Sequence, residues 1–167
     1  MSDFERKLVN VLNAAFREAN KRAIAHRIKQ SRFTSQVVDV LVDSLDPECY
    51  LAIECKSISL EKGAKALYFS QHFTVDSRGV HQLTHMKDYL ALSGRRGILA
   101  VELRKGAGKR KEAHLIPWCS VIRKFDSKEV GFSVGEIESY PAVGGGILSA
   151  LSKVSETASE GCGQDEY

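Results

Sequence analysis

Three short apolar segments separated by short polar turns constrain the fold of this chain more than any other feature. They cover residues 23–28, 37–42 and 49–56. The first has Ile24, His26 and Ile28 at alternate positions and predicts a half-buried strand. The other two are almost continuously apolar, which is typical of buried strands. Because the turns are too short for a crossover, the three strands are expected to form an antiparallel meander.

Helical spacing of apolar residues appears on both sides of this meander. Residues 3–20 and 79–92 each predict an amphipathic helix, and Gly94 is expected to end the second one. The second helix can return the chain to the sheet, where residues 98–103 predict another buried strand. Further along, residues 114–116 and 132–137 predict short strands. The order indicates an α/β fold with a mixed sheet flanked by helices.

The length and composition indicate one globular domain followed by a tail. The chain has 167 residues, of which 43% are hydrophobic and 27% charged, as in folded water-soluble proteins. Without an apolar run of about 20 residues or a signal peptide, a cytoplasmic location is expected. Residues 152–167 hold one base against four acids and predict a flexible acidic tail behind a domain of residues 1–151. Residues 1–151 hold the other 23 bases and 17 acids, and this excess of positive charge suits a polyanionic partner.

Charged residues interrupt two of the predicted strands. Asp39 lies in an otherwise apolar run, and Glu54 and Lys56 end another. Side chains two residues apart leave the same face of a strand, and the short turn brings Asp39 beside them. Two carboxylates and an ammonium suit metal-assisted cleavage of a phosphodiester, because Mg²⁺ prefers carboxylate oxygens. The alternative is a structural ion pair at the edge of the sheet.

The arrangement Val38-Asp39 followed by Glu54-Cys55-Lys56 resembles the Asp…Glu-x-Lys signature of the PD-(D/E)XK nuclease superfamily. The resemblance covers roughly residues 1–116, and Val38 departs from the proline of the signature. It implies a restriction-endonuclease-like fold with an α-β-β-β-α-β core. It also implies catalysis by Asp39, Glu54 and Lys56, with Mg²⁺, or Mn²⁺ in its place, held by Asp39, Glu54 and the backbone carbonyl of Cys55.

Two groups of Holliday junction resolvases within that superfamily are similar to parts of the chain. Glu5 on the first helix resembles a glutamate that joins the metal site in archaeal resolvases. The segment from His81 to Met86, followed by a strand from Gly97, resembles the RecU-type bacterial resolvases. The second resemblance implies that Gln82 lies near the metal and helps to orient water or phosphate.

Two polar segments are candidates for contact with DNA. The turn before Asp39 carries hydroxyls and a guanidinium, and the loop after the strand at residues 98–103 carries several bases among glycines. Both chemistries suit backbone phosphates, although a solvated surface would have a similar composition. The candidate residues are Ser31, Arg32, Ser35, Lys109, Arg110 and Lys111.

These features together predict a homodimeric, Mg²⁺-dependent endonuclease that resolves four-way DNA junctions. A two-fold dimer would supply the paired nicks that resolution needs. One alternative keeps the nuclease and changes the substrate, giving a restriction or repair endonuclease that acts on duplex DNA. The other alternative is a DNA-binding protein of the same fold that has lost catalysis.

Overall fold

The computed structural model describes residues 3–29 and 36–161. Within them the α-helices are α1 (Asp3–Glu18), α2 (Phe69–His72), α3 (Gln82–Ser93), α4 (Trp118–Asp126), α5 (Val134–Ser139) and α6 (Ile147–Gly161). The strands are β1 (Ala23–Arg27), β2 (Val40–Ser44), β3 (Leu51–Ser59), β4 (Ala66–Tyr68), β5 (Arg96–Arg104), β6 (Glu112–Pro117) and β7 (Gly131–Ser133). No helix in these ranges is both long and apolar enough to cross a bilayer.

The main sheet has five strands in the order β1-β2-β3-β5-β6. β1, β2 and β3 pair antiparallel, which confirms the predicted meander. β5 then pairs parallel to β3 over nine residues, from Leu51 opposite Arg96 to Ser59 opposite Arg104. β6 returns antiparallel to β5. The connection from β3 to β5 passes through α3, so the predicted α/β fold with a mixed sheet and a helical crossover is confirmed.

Helices bury both faces of this sheet. On one face α1 and α6 pack against inward residues such as Val40, Ile53 and Ala100. On the other face α3, α4 and α5 pack together with a two-stranded sheet formed by β4 and β7. β3 lies in the middle of the sheet, so successive residues of this strand enter different cores.

The buried face of β1 is formed by Ala25 rather than by the larger residues beside it. Ile24 is 59% exposed and His26 is also exposed, whereas Ala25 is buried. The reason is a contact with α1: the Asn13 side chain accepts from the Ala25 N–H at 2.8 Å and donates to the Ala25 carbonyl at 2.9 Å. A small residue at position 25 leaves room for this close approach, and the larger Ile24 faces outward.

The last third of the chain differs from the sequence-based expectation in two places. The strand predicted at residues 132–137 ends at Ser133, the last residue of β7. A capping box formed by Ser133 and Glu136 then starts α5. Residues 147–161 form α6, which crosses the predicted boundary between domain and tail. Ile147, Ala150 and Val154 are buried against the α1 face of the sheet. Residues 152–161 therefore continue a packed helix, because apolar side chains recur at helical spacing within an acidic segment.

Candidate active site

Asp39 lies where β2 begins, and its side chain extends the pairing between β2 and β3. Its backbone N–H donates to the Ile53 carbonyl at 3.1 Å. Its carboxylate Oδ2 accepts from the Cys55 N–H at 2.8 Å. The other oxygen, Oδ1, accepts from the Gln36 side-chain amide at 2.7 Å. The Asp39 carboxylate is therefore fixed against the backbone of the strand that carries Glu54.

Glu54 is only 2% exposed, which is unusual for a carboxylate. Its Oε1 accepts from Lys56 Nζ at 2.7 Å and from Gln82 Nε2 at 2.8 Å. Its Oε2 is also buried, and no N–H or hydroxyl group in the described part of the chain donates to it. We call this atom the open oxygen of Glu54. A buried carboxylate oxygen without a partner is costly, so this atom points to a missing ligand.

The surroundings of the two carboxylates shift both of their pKa values upward. Burial and, to a smaller extent, the Asp39 charge raise the pKa of Glu54 to about 7, against the opposing effects of Lys56 and Gln82. Burial also raises the pKa of Asp39, which the Cys55 N–H lowers and the Glu5 charge raises. A divalent cation between these carboxylates would favour their charged forms and replace the proton that the raised pKa values otherwise retain.

Gln82 is the first residue of α3 and its side chain is buried. The helix begins there because the His81 ring accepts from the Leu83 N–H at 3.1 Å and caps the first turn. The side-chain oxygen of Gln82 accepts from the Thr74 N–H at 3.3 Å, so its NH₂ group faces Glu54. Gln82 therefore lies beside Glu54, and its role in catalysis stays a prediction.

Glu5 lies on the first turn of α1, and its carboxylate binds the Arg27 guanidinium at 2.8 and 3.2 Å. Its negative charge raises the pKa of both Asp39 and Cys55. Glu5 therefore acts on Asp39 and Cys55 through its charge, whereas its direct hydrogen-bond partner is Arg27. Its role as a metal ligand stays a prediction.

The candidate DNA-contacting residues divide between a surface loop and a segment outside the described residues. Lys109, Arg110 and Lys111 are exposed in the loop of residues 105–111, which joins β5 to β6. The structure does not bring them to the carboxylates. The predicted contacts at Ser31, Arg32 and Ser35 lie outside the described residues.

Sequence analysis missed three residues that contact Asp39, Lys56 or Gln82. Gln36 binds Asp39, the Phe73 ring lies 4.7 Å from Lys56 Nζ, and the Thr74 N–H binds Gln82. Only Gln36 carried a usable signal, since it is a polar residue three positions before Asp39. Phe73 and Thr74 lie in a stretch without regular spacing, so their position depends on the folded chain.

The residues present fit a divalent ion of the Mg²⁺ class. Among the described residues no group of three or more histidine, cysteine, aspartate or glutamate side chains is assembled to hold a metal. Mg²⁺ does not need one, because one or two carboxylates suffice when water and phosphate fill its other positions. Asp39 and the open oxygen of Glu54 supply two carboxylates.

Comparison with known proteins adds little to this geometry. No family model and no curated protein matches the chain. A solved structure that it resembles is that of Hjc from Archaeoglobus fulgidus, described as a Holliday junction resolvase from an archaeal hyperthermophile. The two chains are 17% identical, with a TM-score of 0.49, over 81% of this chain and 89% of that one.

Proposed function

We propose that this protein is a metal-dependent endonuclease that hydrolyses phosphodiester bonds in DNA. The observation that carries the proposal is the open oxygen of Glu54. It is buried beside Asp39, while Lys56 and Gln82 bind the other oxygen of the same carboxylate. A structural ion pair accounts for Oε1, but it leaves the cost of burying the open oxygen unexplained.

Asp39, Glu54 and the carbonyl of Cys55 would hold the metal, with Glu5 as a further carboxylate facing them. Mg²⁺ is the expected ion, and Mn²⁺ should substitute for it because it accepts the same oxygen ligands. When bound, the ion polarises a phosphoryl oxygen and lowers the pKa of a coordinated water. Cys49 and Cys55 take no part as thiolates, since burial raises the pKa of both thiols.

Lys56 and Gln82 would act on the scissile phosphate and its attacking water. The Lys56 side chain is 18% exposed and its ammonium is already bound to Glu54, so it can face a phosphate without losing much freedom. A preorganised positive charge stabilises the negative charge that grows on the phosphate oxygens in the transition state. The Gln82 amide is held at both its oxygen and its nitrogen. It can therefore orient water, but as a neutral group it does not accept or release a proton.

The basic loop of residues 105–111 would track the DNA backbone next to this site. It begins directly after Arg104, whose partner in β3 is Ser59. Ser59 lies three residues beyond Lys56, or about 10 Å along the strand. The loop therefore leaves the sheet at the carboxyl ends of β3 and β5, and its exposed bases suit phosphates.

A four-way junction is the substrate that we favour, in recombination or repair. A domain of this size is better suited to reading DNA shape than base sequence. A two-fold homodimer would place two such sites on opposing strands. The alternatives remain a restriction or repair nuclease that cuts linear duplex, and a binding protein without catalysis.

The test is cleavage of a synthetic four-way junction and of a matched duplex, with Mg²⁺, with Mn²⁺ and with chelator. We expect metal-dependent nicks in the junction at rates at least tenfold above those in the duplex. Asp39→Asn serves as the inactive control, and its Mn²⁺ affinity, measured by electron paramagnetic resonance, should also fall. Equal cleavage of both substrates would favour the duplex alternative. Metal binding without cleavage would favour the alternative of a DNA-binding protein without catalysis.

A further inference from the structure

Phe73 and Thr74 lie between α2 and α3 and contact both side chains that bind Glu54. The Phe73 ring lies beneath Lys56, with Nζ 4.7 Å from the ring centroid. The Thr74 N–H donates to the side-chain oxygen of Gln82 at 3.3 Å. Two adjacent residues therefore hold the two donors that meet at one carboxylate.

The consequence of this arrangement appears at Glu54. Lys56 and Gln82 both donate to Oε1, at 2.7 and 2.8 Å, and neither donates to Oε2. A carboxylate has two equivalent oxygens, so placing both donors on one of them decides which oxygen stays open. If either donor moved, it could pair with the open oxygen and cover the position proposed for the metal.

Phe73 and Thr74 are themselves held firmly. Phe73 is 4% exposed, and its ring lies 6.0 Å from the rings of both Phe69 and His81. His81 is fixed in turn by the Phe69 carbonyl and by the Leu83 N–H, at 3.1 Å each. The Thr74 carbonyl accepts from the Gln82 backbone N–H at 2.8 Å, so Thr74 and Gln82 are bound to each other twice.

We propose that Phe73 and Thr74 are positioning residues that keep one oxygen of Glu54 open for the metal. The Phe73 ring attracts the Lys56 ammonium through its negative face, which is effective within about 6 Å of the centroid. The Thr74 N–H turns the Gln82 amide so that its NH₂ group, and not its oxygen, faces Glu54. The metal at Glu54 is part of the proposed function, and the contacts of Phe73 and Thr74 can be tested without it.

The ring contact is tested by replacing Phe73 with phenylalanines that carry one, two or three fluorine atoms. Fluorine weakens the negative face of the ring while almost preserving its shape. We expect kcat to fall stepwise, by about tenfold with three fluorines, while KM and the melting temperature change little. Phe69 is the matched control, because it is equally buried in the same aromatic cluster. A fall of the same size in the Phe69 series, or an unchanged kcat in the Phe73 series, would overturn the proposal.

A second measurement needs neither metal nor cleavage. In the metal-free protein, the ring current of Phe73 should displace the Lys56 ε-methylene protons upfield from those of the other lysines. The displacement should disappear in Phe73→Leu and persist in Phe69→Leu. Ordinary Lys56 shifts in the unchanged protein would refute the contact, whatever the outcome of the cleavage assay. Absence of cleavage together with the predicted displacement would refute the proposed function alone.

The Thr74 contact is tested by a double-mutant cycle. Replacing Thr74 by its 2-hydroxy acid analogue exchanges the backbone N–H for an ester oxygen and removes this donor. We expect kcat to fall about fivefold in the otherwise unchanged chain and not at all in the Gln82→Leu background. Equal losses in both backgrounds would mean that the Thr74 N–H acts independently of Gln82, against the proposal.

Discussion

Replacing Glu54 by glutamine should stabilise the metal-free protein, and the gain should grow as the pH rises from about 4.5 to about 7. Burial and the Asp39 charge raise the pKa of Glu54 to about 7 from 4.5. Folded and unfolded chains both hold this proton below about pH 4.5, so the carboxyl costs nothing there. As the pH rises from about 4.5 to 7, only the folded state retains the proton, and stability falls. Above about pH 7 the loss is complete, at about 3 kcal/mol.

The assay is thermal unfolding in chelator, followed by circular dichroism at pH 5 and pH 8. For a chain of this size, about 3 kcal/mol corresponds to roughly 6–12 °C, so Glu54→Gln should melt that much higher at pH 8. At pH 5 the gain should shrink to about 1 kcal/mol, because most of the loss occurs at higher pH. Glu138→Gln, at an exposed position, is the control and should change neither value. The same gain at both pH values would refute the assignment of an ionisation cost to Glu54.

Three further predictions concern catalysis, DNA contact and packing. Asp39→Asn or Lys56→Ala should lower the cleavage rate by about 10²-fold or more and leave the Kd for a junction within a few fold; a parallel loss of binding would contradict these roles. Replacing the three exposed bases of the 105–111 loop by alanine should reduce the slope of log K against log salt by up to about 2.7, and an unchanged slope would mean that the loop does not touch DNA. Val154→Ala should lower the free energy of unfolding by about 2 kcal/mol and the exposed Glu156→Ala by less than about 0.5, whereas equal effects would mean that α6 does not pack on the sheet.

The sequence was most informative where a residue conflicted with its surroundings. Asp39 and Glu54 stand out because they are charged within apolar runs, and the structure places both at one point of the sheet. Because side chains two residues apart leave the same face of a strand, the sequence alone placed Lys56 on the same face as Glu54. The place of Gln82 depended on a resemblance, since its own segment has no distinguishing chemistry.

The errors share a physical cause, which is that tertiary contacts decide between local patterns of similar strength. Ile24 is more apolar than Ala25, yet the approach of Asn13 selects the smaller residue for the inner face. The Ser133 to Glu136 segment contains a readable capping box that the apolar content of 132–137 concealed. Helix α6 was missed because the acidic charge of its segment outweighed the spacing of Ile147 and Val154.

The central position of β3 restricts how this protein can change in evolution. Leu51, Ile53 and Cys55 enter the core with α1 and α6, whereas Glu54 and Lys56 project towards α3. Inserting or deleting one residue within the strand would exchange these two sets and place two charges in an apolar core. Substitutions at single positions preserve the alternation, and length changes are expected to be confined to the turns at either end. Related chains should therefore align through residues 51–59 without gaps, even where few identities remain.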